Sequence, residues 1–267
     1  MSKKYALLDT SKKVPGGVVY QIRALRDFGD VKEGDLGGYV ASEDNLSHKG
    51  TCWVYDEATV YGDAKIYDLA KVKDSASVYQ EARVYANARV LGSALVEGRA
   101  RIDNNAVVRG NAEVSGDAHV YGNTDVYANA RVYDDAKVCG HSKIAGSCEI
   151  FEDAIVSGRA LVREQAKVSG HARVLDSAHV CGSAEIYGRA IIAEDAHIRD
   201  EAHIYGHAKI TGRALVGGES AIRQRAHITG ECRVISCVFR GDLVLLGDGN
   251  IENITNNRSG VYWAENL

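Results

Sequence analysis

Nine histidines are the side chains of this 267-residue chain best able to do chemistry. An imidazole changes charge near neutrality, so it can serve as a general base or, when neutral, ligate a metal. His179 and His197 are 18 positions apart, His203 follows six later, and His207 lies just beyond. His179, His197 and His203 are the candidates for a catalytic base. Zinc needs three or four ligands that converge and are held by further hydrogen bonds. The spacing supplies no converging third ligand, so no metal site is assigned. The six cysteines include no CxxC pair and read as reduced thiols. Nucleophile elbows, phosphate loops and paired-carboxylate motifs are missing from the sequence.

Charge and aromatic patterning offer a second kind of chemistry, the binding of a partner. Lys65, Arg83, Arg101 and His119 recur every 18 residues, and Tyr67, Tyr85 and Tyr121 recur beside them. Tyr61 and Tyr79 form another pair at the same interval. A cationic ladder next to exposed tyrosines suits an anionic or protein partner. A neighbouring series, Asp63, Glu81, Arg99, Asp117, Asp135 and Asp153, is placed to neutralise the ladder in a solvated ion-pair lattice. Further along that series turns basic, as His171, Arg189, His207 and Arg225. With Arg173, Lys209 and His227 these make a basic patch whose charge rises as the imidazoles protonate. The candidate binding surface is therefore Tyr61, Tyr67, Tyr79, Tyr85, Lys65, Arg83 and Arg101, together with His171, Arg173, Arg189, His207, Lys209 and Arg225.

These columns exist because of a period of six. From Val54 to Val234 every sixth residue is Val or Ile, at 31 consecutive positions. Two residues before each stands a small residue, Ala at 25 of the 31. No helix has that period. One β-branched and one tiny inward residue per six fit a chain that turns a corner every hexad, the pattern of a parallel β-helix. Three hexads close a triangle, so a coil takes 18 residues and residues 18 apart stack. About eleven such coils follow from the run between Val40 and Val238. Gly, Asp and Asn at the third and fourth hexad positions supply the corners. The predicted fold is all-β: a single-stranded solenoid over 41–238, with an N-terminal cap over 1–40 and a C-terminal cap and tail over 239–267.

Within the first cap, Ala6-Leu7-Leu8 and Val18–Ile22 read as strands around the turn at Pro15-Gly16-Gly17, which holds the only proline. At the other end the hexad fails at Arg240, Leu243–Leu246 is expected to add an irregular coil, and Tyr262-Trp263 to fold back as a lid. A net charge of −4 excludes a strongly basic nucleic-acid binder, and nucleic acid is not the expected partner. No apolar run is long enough to span a membrane or to follow Met1-Ser2-Lys3-Lys4-Tyr5 as a signal peptide, so the expected location is the cytoplasm. Outward Leu95, Phe151, Ile155 and Ile191 favour a homo-oligomer.

The segment Gln21–Val40, with Asp27-Phe28-Gly29-Asp30 and Gly34-Asp35-Leu36-Gly37-Gly38-Tyr39, followed by Asn45-Leu46-Ser47 and Cys52-Trp53-Val54-Tyr55-Asp56, resembles the cap of the YdcK-like hexapeptide proteins, carried by enterobacteria and by phages and prophages. The likeness extends over cap and repeats. It implies a left-handed β-helix, within the superfamily that also holds trimeric acyltransferases and γ-class carbonic anhydrases. Two functions are then open. One is a non-enzymatic scaffold, an accessory protein of phage–host encounters, with no cofactor. The other is an acyltransferase-like enzyme using acyl-CoA between subunits, with His179, His197 or His203 as base. Such transferases place Gly directly after the inward aliphatic and carry a loop that shapes the pocket. Here that position points outward and is often Tyr, and no insertion interrupts about 180 residues, which favours the scaffold.

Overall fold

The computed structural model describes residues 3–256 and 259–266. Met1 and Ser2 of the N-terminal pentapeptide, Asn257 and Arg258 of the polar tail, and Leu267 lie outside them. By its contacts the chain divides into two units, Met1–Asn129 and Ala130–Leu267. Among the described residues, every regular element apart from two short 3-10 turns is a strand.

The hexad explains the local structure of both units. Each repeat gives a two-residue strand ending in the inward aliphatic, an outward residue, and a two-residue turn. Val and Ile suit the flat sides, where stacked pleated strands pack branched side chains well. The inward Val/Ile and the small column are almost wholly excluded from solvent, as at Val84, Ala88, Val174 and Ala178. The first turn residue has positive φ, for example 70° at Gly92, 55° at Asp176 and 61° at Glu194. Such angles favour Gly and tolerate Asp and Asn. Parallel partners lie 18 positions apart, as Lys71 opposite Arg89 and Arg173 opposite Ile191. Each coil thus gives one strand to each of three parallel sheets. The coils number about 12.

In the N-terminal unit the cap is a hairpin turned into a solenoid edge. Strands β1 (Tyr5–Val14) and β2 (Gly17–Ala24) pair antiparallel, with Val14 opposite Gly17 around Pro15-Gly16. Strand β3 (Leu36–Val40) pairs antiparallel with β2 and parallel with Thr59–Val60. One strand thereby joins the hairpin to the first full coil. Trp53, 1% exposed, lies under the cap, edge-on to Phe28 with centroids 5.2 Å apart and to Tyr5 at 6.0 Å. A Cβ at Gly37 would come within 2.7 Å of the Trp53 ring, so only glycine lets β3 cross it.

Lys4 is fully buried beside it, its ammonium donating to the Cys52 carbonyl at 2.8 Å and lying over the Phe28 ring. Burial pulls its pKa down. At the surface, Asp30 accepts from Lys71 Nζ at 2.8 Å and Tyr55 Oη at 2.7 Å, tying the cap to the coils.

The bond from Lys71, helped by that from Tyr55, lowers the Asp30 pKa from 3.8 to about 2. A carboxyl depressed in the folded state stabilises above its unfolded pKa and stops doing so as pH falls through the folded one. Asp30 is half exposed, so screening leaves roughly 0.2–1 kcal/mol. Asp30→Asn should melt slightly below the wild type at pH 7. The gap should close between about pH 4 and 2, and a gap unchanged below pH 2 would show a packing defect instead.

The C-terminal unit keeps the 18-residue register up to Ile222. The strand opposite it carries Phe239, 17 positions on, in the inward place. One residue is dropped at the corner near Ser236, which moves Arg240 outward and seats fully buried Phe239 where an aliphatic was due. The stack then continues through Leu243–Leu246 to Gly260–Trp263, which pair in parallel. The expected lid is corrected: Tyr262-Trp263 is a further rung, because Leu245 and Leu246 offer it strand partners, and Trp263 stays 53% exposed.

All six thiols are free. Cys52, Cys148 and Cys232 fill the small inward column, and burial pushes Cys148 to about 12 and Cys232 to about 11. Such thiols pack as small apolar groups.

Candidate functional site

Parallel strands one coil apart dictate how the histidines meet. His179 and His197 stand on one face, opposite one another in register, with ring centroids 4.6 Å apart. Partial burial, then the neighbouring charges of His197 and Arg163, pulls the His179 pKa down. His203 is on the next face, where its Nδ1 lies 3.3 Å from Glu185. The three candidates for a base therefore form one pair and one separate ion-paired imidazole. Among the described residues no three His, Cys, Asp or Glu side chains gather as a metal site.

In the N-terminal unit the tyrosines stack as the 18-residue interval predicts. Tyr61 and Tyr79 lie 4.9 Å apart and within 4° of parallel, and Tyr67 and Tyr85 match them at 4.9 Å and 3°. Burial, then a hydrogen bond with Asp103, raises Tyr85 to about 12; burial and Glu97 push Tyr79 up as well. The tip of the cap hairpin, Pro15-Gly16, forms a small apolar cleft with the Tyr61–Tyr79 pair. Lys65, Arg83, Arg101 and His119 face each other in successive strands.

The acidic series lies beside that ladder but does not form ion pairs with its lysine and arginines among the described residues. Asp117 binds Arg99 of its own corner column at 2.5 Å, and Asp103, 6% exposed, holds His119 at 2.8 Å. Lys65, Arg83 and Arg101 make no ion pair among the described residues. Stacking aligns side chains along a column, so a corner acid meets the corner residue one coil away more readily than the cation round the bend. A polar groove lined by Glu81, Arg83, Arg99, Arg101 and Asp117 results.

The C-terminal unit carries the basic patch. His171, Arg189, His207 and Arg225 run along one corner, with Arg173 and Lys209 on the face beside them, all exposed. Asp153 reaches His171 at 3.4 Å and Asp242 reaches Arg225 at 3.4 Å, closing the patch at both ends. His207, Lys209, Arg225 and His227 line one shallow groove. Burial, then Lys209, lowers the His227 pKa.

One feature escaped the reading of the sequence. At several positive-φ corners, those with an acidic or amide side chain in the same place one coil earlier, that side chain accepts the corner's backbone N–H. Asp74 takes the amide of Gly92 at 2.7 Å, Glu164 that of Gly182 at 2.8 Å, and Glu194 that of Gly212 at 2.8 Å. These acids read as mere turn formers; the signal was a carboxylate 18 positions before a glycine.

The chain matches no protein family model and no curated protein. Its class is defined by the fold: a parallel β-solenoid of regular repeats, consistent with a hexapeptide-repeat β-helix. No helix among the described residues is long and apolar enough to cross a membrane.

Proposed function

We propose that the protein is a non-enzymatic β-helical scaffold that presents flat Tyr- and Arg/Lys-rich faces to a macromolecular partner. The observation that carries this reading is the cationic column of Lys65, Arg83 and Arg101, exposed beside stacked tyrosines and without carboxylate partners among the described residues. Like charges stacked one coil apart repel, and a partner bearing anionic or hydrogen-bond-accepting groups relieves that repulsion. The uninterrupted hexads from Val54 to Val234 supply flat faces and no protruding loop, which suits a broad contact better than a small-molecule pocket. The YdcK-like resemblance adds a phage-encoded accessory role in the cytoplasm, and the outward apolar residues add self-association.

One observation favours a second reading, an acyltransferase-like enzyme using acyl-CoA at a subunit interface. Partial burial, then His197 and Arg163, lowers the His179 pKa, a shift toward the neutral imidazole that a general base requires.

Native mass spectrometry of the protein purified gently from its own cells separates the two. A species holding a protein or anionic macromolecule is the expected result. A trimer carrying a CoA-sized adduct would replace the scaffold reading with the enzymatic one.

A further inference from the structure

Of the nine histidines, His179 and His197 form the one step at which an outward imidazole stacks on another, since no other two lie 18 positions apart. Leu161 and Leu215 bound the pair in the same column. His48, His119, His171, His203 and His227 each bring a ring nitrogen to a partner. Among the described residues the ring nitrogens of His179 and His197 make no hydrogen bond or ion pair; His197 is exposed and His179 half-buried. Beside them run Arg163, Cys181 and Arg199. Arg163 and Arg199 each turn to an acid of their own corner, Glu164 at 3.6 Å and Asp200 at 3.4 Å, which offsets part of their charge.

We infer that His179 and His197 hold a divalent late transition-metal ion, Cu²⁺ or Ni²⁺, through one nitrogen of each ring, with water in the remaining positions. Neutral imidazole is the commonest side-chain ligand for such ions. The separation fits. With ~2.0 Å from metal to nitrogen and ~1.2 Å from nitrogen to ring centre, two imidazoles at a right angle about one ion have centroids about 4.5 Å apart. At the tetrahedral angle they would be about 5.2 Å apart. The two rings stand 4.6 Å apart. The strand repeat of ~4.8 Å sets that spacing, and it is the one a right-angled pair needs. Orientation differs from that of the aromatic ladders. The tyrosine pairs lie within 6° of parallel, so their edges point the same way. The histidine planes are 45° apart, and a turn of each ring about its Cβ–Cγ bond brings one nitrogen of each toward a common point. Right-angled nitrogen donors are the tetragonal geometry of Cu²⁺ and Ni²⁺, whereas Zn²⁺ takes a tetrahedral one and fills it with three or four protein ligands. Two ligands and water make the site open, and nothing in it depends on the scaffold reading.

Calorimetric titration of the untagged full-length protein with Cu²⁺, Ni²⁺, Zn²⁺ and Mg²⁺, in a buffer that does not chelate, tests the site. Cu²⁺ should bind most tightly, then Ni²⁺, then Zn²⁺, with Mg²⁺ inert. His179→Ala and His197→Ala should each weaken Cu²⁺ and Ni²⁺ binding about tenfold or more, because losing even a hydrogen-bond partner behind a ligand costs roughly 10–100-fold. His203→Ala, on the next face, and Cys181→Ser, beside the pair, should bind as the wild type does. Both alanine variants at the pair change outward side chains and should keep the fold by circular dichroism. Electron paramagnetic resonance of the Cu²⁺-loaded wild type needs no variant: it should show coupling to two imidazole nitrogens. Affinity unchanged in the folded His179→Ala and His197→Ala chains, an equal loss in Cys181→Ser or His203→Ala, Zn²⁺ bound as tightly as Cu²⁺, or coupling to fewer than two nitrogens, would overturn the inference. The scaffold reading would be untouched, since it rests on Lys65, Arg83, Arg101 and the tyrosines beside them.

Discussion

A chain begun at residue 41 is expected to aggregate. The reason is the unpaired edge that the truncation creates. Strand β3 gives its backbone to Thr59–Val60, with Val40 opposite Val60, and the hairpin of β1 and β2 covers β3 in turn. Removing it bares the strand edge of the first coil together with Trp53, which the cap holds at 1% exposure. Open edges template pairing with other chains, and solenoids need capped ends to stay soluble. Size-exclusion chromatography with light scattering on both chains is the measurement. The full chain should elute as one species and the truncated one as large, polydisperse material. A monodisperse truncated chain would mean that the cap does not guard this edge.

Trp53→Ala should cost about 3–5 kcal/mol, the range for removing a large buried aromatic. Its ring is the floor on which Phe28 and Tyr5 rest edge-on, and Gly37 crosses it with no room for a Cβ. The cavity would lie at the junction of cap and first coil, so cooperativity between them should suffer as well. Urea unfolding followed by circular dichroism reads the loss. Fluorescence adds a check, because the chain has two tryptophans and the other, Trp263, is 53% exposed. Emission from the native variant should shift to the red. A loss below about 1 kcal/mol would show that the site collapses onto the gap.

Most of the solenoid was legible because a period of six leaves few alternatives. Inward Val and Ile, the small column, the corners and the stacking of Tyr61 on Tyr79 all follow from the interval of 18. What eluded the sequence depends on contacts that spacing does not encode. The step to Phe239 needs a one-residue shortening at a corner, invisible when Arg240 simply breaks the pattern. Lys4 reads as a surface lysine near the N-terminus, yet the Cys52 carbonyl and the Phe28 ring give it a buried place. The surface was harder still. Lys65, Arg83 and Arg101 were placed correctly in a column, but their relation to Glu81 and Asp117 turns on which way side chains lean around a bend. The carboxylates that cap the next coil's amides lie on turns, where Asp and Glu have an ordinary explanation already. Handedness rests on the YdcK-like resemblance, since alternation of inward and outward residues is the same for either hand.

The dropped residue near Ser236 has a consequence for how such a gene can change length. Upstream of it, duplicating or losing any 18-residue block returns the chain to phase, with aliphatic over aliphatic and corner over corner. Partners across it or beyond it are 17 apart, as Ile228 and Leu245 or Leu243 and Gly260 are. A crossover that carries a block over this point puts every later side chain on the wrong side of the wall. The shortened turn therefore marks a boundary for unequal recombination: the coils before it are interchangeable units, and those after it are inherited as one piece.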